Sequence, residues 1–199
     1  MKKNLAIFLE GLELFSRPKL RLEQYPTPSS LAAEIAVTAS IIDKSAEIFI
    51  DLGCGTGILT IAMGLVGFYT VGIDIDREAI NTAVRNAGKA GVKVDFVLQD
   101  VKYFRVKKPV GVVMNPPFGI KRRHADRIFL EKAFEIGTVI YSIHSAGSEE
   151  FVRNAADQWD FEVTHLWRYR IPLKRTYTFH QKPYKLIPVE VFRMERMQR

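Results

Sequence analysis

Only one of the 199 residues is a cysteine, Cys54, which excludes an internal disulfide and any zinc site built from several cysteines. Such scarcity suits a reducing compartment. Long apolar runs are missing too: the longest uncharged stretch, Ile58 to Ile73, is broken by three glycines and falls short of the roughly 18 apolar residues that a membrane helix needs. Met1-Lys2-Lys3 opens no signal peptide, because Glu10 and Glu13 interrupt the apolar stretch behind it and no small-residue cleavage site ends it. The chain reads as soluble and cytoplasmic. Internal repeats and low-complexity tracts are also lacking. At 199 residues and 47% hydrophobic, it has enough material for one α/β domain with a full core and too little for two ordinary ones.

Charge is present but unevenly spread. The net charge is +7, and residues 168–199 hold nine lysines and arginines against two glutamates, so the rest of the chain balances. Interleaved with these cations stand Trp167, Tyr169, Tyr177, Phe179 and Tyr184. That mixture suits phosphate attraction with base stacking. It equally fits a solvated strand and loop whose aromatics belong to the core.

Apolar, strand-like runs recur at Ile48–Leu52, Thr70–Asp74, Val94–Leu98, Val110–Met114 and Thr138–Ile143. Helix-compatible segments lie between most of them, at Thr60–Leu65, Arg77–Ala90, Asp126–Ile136 and Glu149–Gln158, the last with Ser148 as a candidate cap. This alternation predicts a Rossmann-like α/β fold, a seven-stranded, mostly parallel sheet covered by helices on both faces. Phe161–Tyr169 and Leu186–Met194 would finish the sheet as a hairpin with an antiparallel last strand, joined by a long basic connection over 168–185. Upstream, Leu5–Phe15 and Ser29–Ile42 read as helices around a Pro-rich stretch, so residues 1–44 form an N-terminal segment and 45–199 the core of one domain.

Ile48 to Gly57 is a buried strand that runs into a glycine-rich turn and then a helix. Gly53, Gly55 and Gly57 allow positive φ and close approach of backbone to a ligand. The spacing is GxGxG with Asp51 just before it, whereas a dinucleotide site expects GxGxxG and a pyrophosphate that an acid would repel. A ligand carrying sulfonium and ammonium groups prefers the acid. At the second strand end, Asp74, followed by Ile75, can accept both hydroxyls of a ribose; at the third, Asp100 can accept from an adenine amino group beside the apolar wall of Val101. One strand-end aspartate is commonplace in turns. Three in register behind a glycine-rich turn are not.

After the fourth strand comes Asn115-Pro116-Pro117-Phe118-Gly119. Pro116 and Pro117 forbid helix and regular sheet and stiffen the turn. An exocyclic amino nitrogen is a poor nucleophile until acceptors hold its hydrogens and favour a pyramidal geometry; the Asn115 side-chain oxygen and the Pro116 carbonyl are candidates for that task. Phe118 is the candidate for stacking on a flipped base. No metal is needed, and Cys54 sits in the glycine loop rather than where a cytosine-C5 nucleophile would stand. Glu23 to Pro28 is a candidate cover for the cofactor's methionine end, with Gln24, Tyr25 and Thr27 as its contacts; a plain Pro-rich linker is the other reading.

The run from Asp51 to Gly57 resembles the class I, Rossmann-like S-adenosylmethionine methyltransferases, and Asn115 to Phe118 resembles the Asp/Asn/Ser-Pro-Pro-Tyr/Phe/Trp motif of their amino-methyltransferase branch. The resemblance implies S-adenosylmethionine as cofactor. It places Asp51, Gly53, Cys54, Gly55, Gly57, Asp74, Ile75, Asp100, Val101 and Asn115 around that cofactor and gives Asn115, Pro116, Pro117 and Phe118 the catalytic roles just described. Taken with QYPTP, GIDID and the following QD, the chain resembles the archaeal and eukaryotic methyltransferase-like protein five family. That implies N6-methylation of adenosine in small-subunit ribosomal RNA and a small zinc-ribbon activator protein as partner. Lys121, Arg122, Arg123 and His124 beside the catalytic turn, with Lys174 and Arg175, are candidate RNA contacts. Guanine-N2 methylation of RNA, glutamine methylation of a translation factor and a catalytically silent RNA-binding module are the alternatives.

Overall fold

The computed structural model describes residues 1–118, 125–174 and 184–198. Its elements run α1 (Lys2–Glu10), α2 (Ser29–Ile42), β1 (Ile48–Leu52), α3 (Ile58–Leu65), β2 (Tyr69–Asp74), α4 (Arg77–Ala90), β3 (Val94–Leu98), β4 (Val110–Met114), α5 (Ala125–Ile136), β5 (Gly137–Ser145), α6 (Glu149–Asp157), β6 (Phe161–Lys174) and β7 (Tyr184–Arg196). The seven strands form one sheet in the order β3-β2-β1-β4-β5-β7-β6. β1 to β5 pair in parallel, and β7 inserts antiparallel between β5 and β6. The expected class of fold is therefore the observed one.

Period-two alternation divides the apolar residues of the strands between two cores. Phe49, Val113, Tyr141, Ile143 and Val191 face α1, α2 and α3. Ile50, Leu52, Val112, Ile140 and Phe192 face the other way, toward Leu130 and Phe134 of α5 and Val152 of α6. Because both faces are covered, the strands read in sequence as nearly continuous apolar runs, which is why they were visible there. A buried ion pair ties the ends of the chain together across the first core: Asp43, at the end of α2, accepts from the Arg193 guanidinium of β7 and, at 2.5 Å, from the Tyr141 hydroxyl of β5.

Three expectations are corrected. The first helix covers Lys2–Glu10 rather than Leu5–Phe15. Past Gly11 the chain turns to dock on α4, with the Glu13 backbone hydrogen-bonded to the Asn86 side chain, a tertiary contact that overrides local helix preference. Ser148 precedes α6 without a side-chain capping bond; its backbone N–H instead donates to Glu190 at 3.0 Å. The basic connection is shorter than expected, since β6 and β7 stay paired as far as Lys174 and Tyr184. Pro172 lies on the edge strand and Pro188 lies past the last pair that β7 makes with β5, places where a proline breaks no ladder.

The tail's cations are partly committed within the protein. Arg168 pairs with Glu149 at 2.5 Å and Glu190 at 3.3 Å, Arg193 with Asp43 and Glu195, and Arg196 bonds carbonyls of Phe134 and Gly137. Trp167 stacks between His165 and Tyr141, and both Trp167 and Tyr169 pack against the first core. For these two aromatics the core reading holds.

Candidate active site

The chain leaves β1 toward β2 and β3 on one side and returns to β4 and β5 on the other. Such a reversal leaves a crevice at the carboxyl ends of the flanking strands, where α/β sheets bind ligands. A cavity of about 570 Å³ opens there. Residues from the ends of all four strands β1 to β4 reach its wall.

The glycine turn after β1 wraps over the end of β2. Gly53 and Cys54 donate their N–H groups to the Ile73 carbonyl at 2.8 and 2.9 Å, and Gly55 donates to the Asp74 carboxylate at 2.8 Å. Gly53 and Gly55 hold φ of +75° and +54°, which side-chain-bearing residues rarely adopt. Aromatic rings occupy the room that side chains would need: a Cβ on Gly53 would stand 2.9 Å from the Phe129 ring, and one on Gly55 2.7 Å from the Phe15 ring. Gly57 has a different task. It starts α3 and lies off the cavity wall, and a Cβ there would stand 3.0 Å from the Ala83 side chain and 3.2 Å from the Phe96 ring.

The three acids reach the cavity but are not level. Asp51 pairs in register with Gly72, two residues before Asp74, so it sits deeper in the sheet, 1% exposed. One of its oxygens accepts from the backbone and hydroxyl of Thr60 at 2.9 and 2.6 Å; the other, Oδ1, is buried without a partner among the described residues. Burial pushes the Asp51 carboxyl up to about 7, against the pull of the two Thr60 bonds, and the neighbouring Asp74 raises it further. Asp74 ends β2 with both oxygens engaged, by the N–H groups of Gly55 and Asp76 at 2.8 Å each, and its pKa is raised, first by burial. Asp100 caps the short turn Val101–Tyr103, accepting from the Lys102 N–H at 2.9 Å. Ile75, Val101 and Cys54 complete this part of the wall, and burial keeps the Cys54 thiol far from ionising.

The N-terminal segment closes one side. Gln24, Tyr25 and Thr27 all reach the cavity. The Gln24 amide is spent on the protein itself: its oxygen accepts from the Lys19 N–H and its nitrogen donates to Asp76, both at 2.7 Å. Asp76 also caps α4 and takes the Lys19 ammonium at 2.6 Å, so one carboxylate pins the segment to the helix that follows β2. Asn115, one residue beyond β4, also lines the cavity, and its side-chain nitrogen donates to the Thr27 hydroxyl at 3.0 Å. Pro117 lines the cavity, whereas Pro116 is buried off the wall and Phe118 packs half-buried against the first core.

Phe15, Arg21, Tyr103 and Phe129 also line the cavity, and sequence reasoning missed them. A glycine turn implies that something fills the vacated space, but nothing local identifies rings 40 or more residues away. Of the expected RNA contacts, Lys121, Arg122, Arg123 and His124 lie outside the described residues, as does Arg175; Lys174 ends β6.

The donor set fits S-adenosylmethionine. An unpartnered, buried carboxylate oxygen asks for a cationic donor such as an ammonium group. Next to it are backbone turns free of side chains and further acids at the ends of β2 and β3.

Comparison with known proteins agrees. The model of the methyltransferase small domain matches residues 34–136. The rRNA N(6)-adenosine-methyltransferase Mettl5 of Drosophila melanogaster is 34% identical over 97% of this chain and 95% of its own length. The zebrafish (Danio rerio) rRNA N(6)-adenosine-methyltransferase METTL5 is 32% identical over 96% of this chain and 97% of its own. A crystal structure from Pyrococcus horikoshii, provisionally named an RNA methyltransferase, superimposes with a TM-score of 0.91 at 38% identity, covering 99% of this chain and 98% of that one. End-to-end similarity of this kind, on a fold whose crevice is built for the cofactor, shows that the chain is an S-adenosylmethionine-dependent enzyme of the methyltransferase small domain family.

Proposed function

We propose that this chain methylates the 6-amino group of adenine in RNA, with small-subunit ribosomal RNA as the substrate. The observation that carries the proposal is Asn115: a neutral amide at the end of β4, ahead of two prolines, on the wall of the cavity that also holds Asp51, Asp74 and Asp100. When bound, S-adenosylmethionine supplies a methyl group made electrophilic by its sulfonium. Asp51 would offer its second oxygen to the ammonium group, Asp74 would accept from the ribose and Asp100 from the adenine. Asn115 then holds one hydrogen of the acceptor's amino group on its side-chain oxygen, and the Pro116 carbonyl holds the other, which draws the nitrogen lone pair out of conjugation with the ring. Phe118 supplies a ring face for the flipped base. The names of the fly and fish relatives support adenine as the base and ribosomal RNA as its carrier.

The test is mass spectrometry of nucleosides from ribosomal RNA incubated with the protein and isotopically labelled cofactor. Label in N6-methyladenosine is expected. Label in N2-methylguanosine, or in glutamine of a translation factor and not in RNA, would overturn the reading.

A further inference from the structure

We propose that Thr27 is a positioning residue for methyl transfer: its hydroxyl takes one N–H of the Asn115 amide and fixes the plane and place of that amide, which leaves the amide oxygen for the methyl acceptor. The inference rests on the amino-nitrogen reading above. An asparagine amide is nearly symmetric in shape but opposite in chemistry at its two ends. Half a turn about its last torsion would aim N–H groups at the acceptor's own N–H groups and replace attraction by repulsion. Asn115 therefore needs an anchor. The Nδ2 to Thr27 Oγ1 bond of 3.0 Å joins residues 88 positions apart, and among the described residues no donor reaches the Asn115 oxygen.

Thr27 is well suited to hold still. It is 8% exposed and stands between Pro26 and Pro28. A following proline confines its backbone to extended conformations, and its branched Cβ restricts χ1. Immediately after it, the Leu31 and Ala32 N–H groups bond the Pro28 carbonyl at 3.0 Å, and Ala32, Ala33, Ala36 and Ala39 of α2 are fully buried. The anchor is thus the end of a helix fixed in the first core rather than a loose flap. Because a hydroxyl can serve either end of an amide, Thr27 fixes the plane and place of the group; with nitrogen on Thr27, the oxygen is the end left for the acceptor.

The test uses Thr27→Val, which keeps the shape and loses the hydroxyl, and Thr27→Ser, which keeps the hydroxyl. Single-turnover methylation of a ribosomal RNA fragment is measured at saturating cofactor and RNA, with melting and RNA affinity alongside. A catalytic group left free to misalign typically costs on the order of 10- to 100-fold in rate; Thr27→Val is expected to show a loss of that size with RNA affinity unchanged. Thr27→Ser should restore most of the rate. In an Asn115→Ala background, Thr27→Val should remove nothing further. A wild-type rate for Thr27→Val, a deficit that disappears once cofactor saturates, or losses that multiply with those of Asn115→Ala would each overturn the positioning role. A fully active Asn115→Ala enzyme would overturn the amino-nitrogen reading itself, and this inference with it. A dead Asn115→Ala beside an unimpaired Thr27→Val would overturn the inference alone.

Discussion

Asp51 carries the sharpest consequence of burial. Its carboxyl rises from 3.8 to about 7 because burial penalises the charged form more than the two Thr60 bonds favour it, with the neighbouring Asp74 adding to the rise. A group that binds its proton more tightly when folded stabilises the fold at low pH, and that contribution is lost as pH rises from about 4 through about 7. Buried His144, lowered to about 4, acts in the opposite sense, so the informative quantity is the difference in melting temperature between wild type and Asp51→Asn across that range. Cofactor binding should follow the same titration, because an ammonium group needs the ionised carboxylate. Affinity for S-adenosylmethionine is expected to increase between pH 6 and 8 in the wild type and to stay flat in Asp51→Asn, as read by calorimetry; equal slopes would remove Asp51 from the site. Asp74→Ala should weaken the cofactor by more than about tenfold, roughly 1.4 kcal/mol. It loses a ribose acceptor and also the carboxylate that fixes the Gly55 N–H. Unchanged affinity by calorimetry would rule out that role.

Among the elements, α4 does more than cover the sheet. Its Asn86, fully buried, donates to the carbonyls of Glu13 and Thr56 and accepts from the Glu13 N–H, so one amide joins the N-terminal segment to the glycine turn. Asn86→Ala strands three backbone groups, at about 1 to 3 kcal/mol for a buried unsatisfied partner. A lower melting temperature together with weaker cofactor binding is expected, and a wild-type melt would contradict it. Nothing in the sequence marks Asn86, since its partners lie 30 and 73 residues away. The strands, by contrast, were legible to within a residue or two for β1 to β5, because burial on both faces writes continuous apolar runs. Asp74 and Asp100 were legible because they end or follow such strands, while the greater depth of Asp51 required the pairing register. Phe15 and Phe129 were not legible at all: their contacts with the glycine turn are purely tertiary. β6 looked shorter than it is because Pro172 signals a break that an edge position does not impose, whereas the expected β7 already ran through Pro188 and fell short by two residues at each end.

For the molecule as a whole, closure of the sheet is secured by the Asp43–Arg193 pair, with side chains 8% and 4% exposed. Removing one partner leaves a buried charge uncompensated. Asp43→Ala should therefore cost about 3 to 5 kcal/mol, and the apolar double variant Asp43→Leu with Arg193→Met should recover most of it; equal losses in both, measured by denaturant unfolding, would show that packing rather than charge is responsible. The same sheet brings the ends of β1, β2, β3 and β4 to one cavity, and that convergence is what unites cofactor and acceptor. Asn115 tests it most directly. Its side chain lies half-exposed on the cavity wall and adds little to either core, so Asn115→Ala should keep the melting temperature and the cofactor affinity of the wild type. Single-turnover methylation of ribosomal RNA by that variant should fall about 100- to 1000-fold, the typical loss for one preorganised hydrogen-bonding group. Near-normal turnover by a well-folded, cofactor-binding Asn115→Ala enzyme would contradict the account.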